Sequence, residues 1–147
     1  MTSLEIKKRI TEILQKGYIM SLGTLDTQGV WVADVIYIHD EYFNLYWMSF
    51  KSARHSQALK MNDKVAATIT ISGPNKPDLG LQIAGIASII SGPHPDLALS
   101  FRKKRHRPLN KSETEVLSNR NWYCLKPTKI ELIDKQNFGY EKKQVNL

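Results

Sequence analysis

The chain has 147 residues, 41% of them hydrophobic, with one cysteine and a formal net charge of +7. A single cysteine excludes an internal disulfide and a multi-cysteine zinc site, and a chain of this length buries roughly 70% of its unfolded surface around one core. The charge, which at first suggests nucleic acid, is local: residues 102–107, RKKRHR, supply five positive charges and leave +2 for the remainder.

The first residues mix charge with apolar side chains and lack the apolar core of a signal peptide. No run approaches the roughly 18 apolar residues of a membrane span. One cytoplasmic domain, residues 1–147, is therefore expected. Thr2 and Glu5 stand at capping-box spacing. Ile6, Ile10, Ile13 and Leu14 then recur on one helical face, and Gly17 ends the pattern.

From Tyr18 the period changes. YIMSLGTLD and VWVADVIYIHD are rich in β-branched and aromatic residues and are joined by TQG, which predicts a hairpin. EYFN is a turn, LYWMS a third strand, and residues 52–61 a short helix ended by Asn62 and Asp63. KVAATITIS reads as a strand and GPNKPDLG as a loop. LQIAGIASIIS is a fifth strand whose Gly85 marks a bulge or the close approach of another backbone or of a ligand. GPHP opens a helix carrying Leu97, Ala98 and Phe101. Ser112 with Glu115 offers a further capping box, and WYCLKPTKIELID is a strand interrupted at Pro127. Cys124 reads as a small semi-buried residue in that strand.

Strands in hairpin succession with short flanking helices predict a mainly β (α+β) chain: a six-stranded antiparallel barrel. Connections this short exclude a parallel doubly wound sheet.

The stretch YWMSFKSARHSQ runs a strand into a helix through three basic groups and several hydroxyls. With Ser52 as N-cap, unpaired N–H groups and the positive helix end would form an anion site. Arg54 adds a planar fork for phosphate, and Lys51 and Ser49 stand nearby. His39, His94 and His106 lack metal-ligand spacing, and no catalytic dyad or triad stands out. Trp31, Trp47 and Trp122 suit either a stacked planar ligand or core mass.

These residues, in the order LGTLDTQGVWVADV, FKSARHSQ, ND and LQIAGIAS, resemble the FMN-binding split-barrel superfamily typified by pyridoxamine 5′-phosphate oxidase, over nearly the whole chain. The resemblance extends to a small bacterial branch that carries Thr-Arg-His where this chain has ARHSQ. It implies a split barrel, a homodimer, and FMN at the subunit interface, with F420 or haem in some members instead. It also implies an oxidoreductase that cycles the flavin with NAD(P)H or another small-molecule redox substrate.

Carried over by position, Ser52 and Arg54 match the Ser and Lys that hold the FMN phosphate, with Lys51 and His55 beside them. Met48 and Ser49 match the strand-end pair facing the phosphate. Val32, Ala33, Asp34 and Val35 match the strand whose backbone runs along the flavin ring, and Gln82 falls near a flavin-contacting Gln. Two departures argue against pyridoxamine phosphate oxidation itself: Val32 and Tyr37 replace an Arg and a Lys of the oxidase's second strand, and its carboxy-terminal pyridoxine-binding segment is missing. The alternative reading is a non-enzymatic flavin- or haem-binding module, with His55, or a His near the carboxy terminus of the barrel helix, as the axial ligand of a haem. Nucleic-acid binding through residues 102–107 is the weakest reading, since no aromatics are interleaved there.

Overall fold

A computed structural model of the chain describes residues 2–108 and 119–147; the capping box expected at Ser112 and Glu115 lies outside the described residues. The amino-terminal helix α1 (Ser3–Lys16) forms as its pattern dictates. Thr2 Oγ1 accepts from the Glu5 N–H, and the Glu5 carboxylate accepts from the Thr2 N–H at 2.5 Å, which completes the capping box. Ile6, Ile10, Ile13 and Leu14 are all buried, each worth about 2 kcal/mol relative to exposure. The Tyr37 hydroxyl donates to the Leu14 carbonyl at 2.8 Å, satisfying one of the last-turn oxygens that an isolated helix leaves unpaired.

The strands are β1 (Ile19–Asp26), β2 (Gly29–Ile36), β3 (Ile38–His39), β4 (Leu45–Phe50), β5 (Lys64–Thr70), β6 (Leu79–Ile90), β7 (Arg120–Asp134) and β8 (Lys143–Gln144). They make one antiparallel sheet in the order β2-β1-β5-β6-β7-β4-β3, with β8 added to β7. The sheet curls until β2 and β4 lie against one another without a hydrogen-bonded ladder. The result is a half-barrel, open along that seam. Strand period two sends Met20, Leu22 and Thr24 of β1 and Leu45 and Trp47 of β4 inward, where Trp47 stacks on Tyr123 with ring centres 5.7 Å apart.

A second, smaller cluster forms outside the barrel. Helix α3 (Pro95–Lys104) lays Ala98 and Phe101 over Ile38 and Trp122, and Phe101 meets Trp122 edge to face. Lys104 Nζ donates to the Tyr37 carbonyl at 2.6 Å, so one member of the basic run turns inward and pins the helix end. Trp47 and Trp122 are therefore core, and Cys124 is a half-buried strand residue.

The strand count departs from the six expected, because eight strands are present among the described residues. VWVADVIYIHD is not one strand: pairing with β1 stops at Ile36, Tyr37 turns, and Ile38–His39 pair with β4 instead. Nor does Pro127 interrupt β7. The register shift falls between Ala84 and Gly85, with Gly85 opposite Pro127 and Thr128 as the extra residue. A proline tolerates that place because a bulge spares it the ladder donor it lacks. Gly85 is indeed a point of close backbone approach, since a Cβ there would collide with the Lys126 carbonyl.

Candidate functional site

The strand-to-helix junction is built differently from the capped helix start expected. Helix α2 (Arg54–Ala58) has Ala53, not Ser52, at its N-cap, and no side chain caps it. Ser52 is exposed in the turn before the helix. This corrects the N-cap reading of Ser52 alone: the preceding strand ends at Phe50, and turn residues intervene before the backbone turns helical.

Arg54 reaches back to the first hairpin. Its Nε and one Nη donate to the two oxygens of Asp26 at 2.9 and 3.1 Å, a planar fork on a carboxylate. The guanidinium also lies 4.3 Å from the centre of the Trp31 ring. That hydrogen bonding holds the Asp26 carboxyl below its usual range. Behind this clamp, His55 Nε2 and Ser49 Oγ share a hydrogen bond of 2.8 Å.

Burial holds the His55 imidazole below its ordinary range, and does the same to His39. Both rings therefore resist protonation in the fold, while the unfolded chain takes up protons through about pH 6.5. Stability is then fully present above that pH and falls as pH drops through it. Replacing His55 with Gln should flatten part of this acid limb in urea titrations between about pH 7 and about pH 5. An unchanged limb would show that His55 is as easily protonated folded as unfolded.

On the outer face of the sheet a shallow groove of about 440 Å³ crosses β1, β5 and β6. Gly23, Ala66 and Ala84 make a floor of small residues, and Ser21, Val32, Thr68, Gln82, Lys129 and Glu131 stand around it. Ser21 Oγ donates to Asp34 Oδ1 at 2.7 Å. Val30, Trp31 and Val32 are exposed along the β2 edge of the same region, Val32 at 63%.

The structure thus sorts the expected residues into two groups. Ser49, Arg54 and His55 gather at the seam between β2 and β4, with Lys51 and Ser52 exposed in the turn between them. Val32 and Gln82 meet at the groove, and Asp34 stands on the same face of β2 as Val32. Ala33 and Val35 point to the opposite face, where Val35 joins the core; of these two only the backbone lies on the β2 edge. Met48 packs into the α3 cluster, away from Ser49. Sequence reading missed Asp26, Gly23 and Lys142. The partners of Arg54 and Gln82 lie 28 and 60 residues away in sequence, where spacing carries no signal.

Among the described residues, no group of three or more His, Cys, Asp or Glu side chains could hold a metal ion, and no helix is long and apolar enough to cross a membrane.

No protein-family model matches the chain. It is 28% identical over 121 residues to a UPF0306 protein of Yersinia pseudotuberculosis, covering 81% of this chain and 82% of that one. A UPF0306 protein of Pasteurella multocida is 26% identical over 101 residues, covering 67% and 68%. Among solved structures, a pyridoxamine 5′-phosphate oxidase candidate from Listeria innocua superposes with a TM-score of 0.70 at 18% identity, covering 87% of this chain and 98% of that one. The haem storage protein HutZ of Vibrio cholerae gives 0.69 at 15%, covering 85% and 92%. An F420 reductase gives 0.64 at 19%, covering 81% and 93%. The half-barrel is the split-barrel fold of these proteins.

Proposed function

We propose that the chain is a flavin-binding split barrel that works as a homodimer, with FMN lying between the outer groove of one protomer and the surface of its partner. The observation that carries this reading is the groove itself. Its volume of about 440 Å³ falls within the range of small-ligand sites, roughly 300–1,000 Å³. Its floor is small and flat enough for a planar ring system, and one wall carries an amide at Gln82. It is open to solvent, which a second copy would cover.

The residues present fit FMN. Arg54 commits two of its five N–H groups to Asp26, and the others can donate to a phosphate. Lys51 is exposed beside it. Among the described residues β2 has a ladder partner on one side only, so backbone groups on its other edge can reach the polar edge of the ring. FMN when bound would supply hydride chemistry at a ring nitrogen, with NAD(P)H or another small donor as redox partner. The chain's own part is to hold the phosphate through Arg54 and Lys51, orient the ring on the groove floor, and exclude water once the partner protomer covers it.

A carrier or sensor that holds flavin without turnover fits the same geometry. So does haem in the same seam near the half-buried His55, a reading favoured by the fold shared with a haem storage protein.

The test is the visible spectrum of the purified protein, followed by titration with FMN, F420 and haem. Saturable quenching of FMN fluorescence supports the reading. A Soret band moves it to haem, and no binding of any of the three sinks it. Arg54→Ala is expected to weaken FMN binding about 10- to 100-fold, the worth of about 1.5–3 kcal/mol for a charge-assisted contact. Asp26→Asn frees the fork of a competing carboxylate and should tighten binding a few-fold. Weaker binding in Asp26→Asn would show instead that the carboxylate serves to aim the guanidinium.

A further inference from the structure

Lys142 Nζ donates to Gln82 Oε1 at 2.7 Å. An ammonium group only donates, so the atom facing it must be the amide oxygen, and Gln82 Nε2 is turned the other way. The register places Thr68, Gln82 and Glu131 in one row across β5, β6 and β7. Lys142 comes from the β7 side, because its Nζ also lies 3.8 Å from Glu131 Oε2 and the next residues, Lys143 and Gln144, pair with Leu132 and Glu131 respectively. Buried Val145 anchors the tail just beyond. The Gln82 N–H groups are therefore turned away from Lys142, and Gln82 and Thr68 both line the groove.

The charge balance at this end of the groove is unequal. Lys129 Nζ meets Glu131 Oε1 at 2.7 Å, so among the described residues two ammonium groups face the one carboxylate of Glu131 and one positive charge is left over. Lys129, Glu131 and Gln82 all line the groove.

We propose that Lys142 is a positioning residue that locks Gln82 as a hydrogen-bond donor into the groove and keeps a net positive charge beside it. The groove thereby selects a planar ligand whose ring edge accepts hydrogen bonds and carries delocalised negative charge. Resting on the flavin reading, this means that reduced FMN, the more negative form, binds more tightly than oxidised FMN. Lys142 is half exposed and water screens it, so the preference is several-fold rather than many orders of magnitude.

The experiment is FMN titration of the wild type, Lys142→Met, Lys142→Arg and Gln82→Leu, with the midpoint potential of bound FMN measured against reference dyes. Lys142→Met should lose about fivefold of the preference for reduced FMN, a shift of about 20 mV to more negative potential for a two-electron couple. Lys142→Arg keeps donation and charge and should restore it; Gln82→Leu should show a loss of the same sign. Circular dichroism spectra should match throughout. A wild type that binds FMN, with a potential that Lys142→Met leaves unmoved, overturns the positioning role and leaves the flavin reading standing. A wild type that binds no FMN overturns both.

Discussion

Replacing Gly23 with valine is expected to weaken FMN binding on the order of 100-fold and leave the barrel folded. Gly23 sits on the outer face of β1, opposite Val32 on β2 and Ala66 on β5, and forms part of the groove floor. A Cβ built there finds the Ala66 carbonyl oxygen at 3.5 Å as its nearest neighbour, an ordinary van der Waals contact. The fold therefore has room for a Cβ at this position. A β-branched residue also suits a strand better than glycine does, by up to about 1 kcal/mol. What the isopropyl group removes is the flat space above Gly23 on which a ring would lie. The expected loss of affinity is on the order of 100-fold, about 2.7 kcal/mol. Fluorescence titration with FMN and a thermal melt, run side by side, check it. Unchanged binding would move the ligand off this groove, and a collapsed melt would mean that the outer face of β1 is not a free surface.

How far such a site can be read from sequence depends on how local its interactions are. Helix α1 was legible because its cap, apolar stripe and stop all lie within 16 residues and are set by spacing alone. The bulge at Gly85 was legible because a glycine within a run of branched strand residues marks where a backbone bends or is closely approached. Tyr37 was not, since an apolar residue between two apolar runs reads as more strand, whereas in the fold it breaks the strand and turns its hydroxyl to the end of α1. Arg54 shows the limit most clearly. Its position beside Ser52 suggests a phosphate fork, and the fork exists, but its occupant is Asp26 at the tip of the first hairpin. Gln82 likewise owes the direction of its amide to a lysine in the last six residues of the chain. Residue types could be read from the sequence, but not the long-range partners that set their orientation.

The largest expected loss of stability comes from Asp134→Ala, far from the groove. Asp134 ends β7 with 1% of its surface exposed, and its carboxylate serves three donors. Arg9 Nε of α1 lies 3.1 Å from Oδ2, while Asn137 donates its backbone N–H to Oδ1 at 3.3 Å and its side-chain amide to Oδ2 at 2.7 Å. One side chain thus caps the turn that leads into β8 and ties α1 to the barrel. Alanine would leave Arg9 largely covered, with only Glu12, at 3.1 Å, to answer its charge. Breaking one side of a buried ion pair costs about 3–5 kcal/mol, and because Glu12 remains the low end, about 3 kcal/mol, is expected. Asp134→Asn keeps an acceptor for the cap and should cost less. Urea denaturation of Asp134→Ala, Arg9→Ala and the double variant tests the assignment. The double variant should be less destabilised than the sum of the singles, since the second change removes the charge that the first strands. Strict additivity would mean that Arg9 and Asp134 stabilise the fold independently. The carboxylate would then matter only as a cap, worth about 1 kcal/mol.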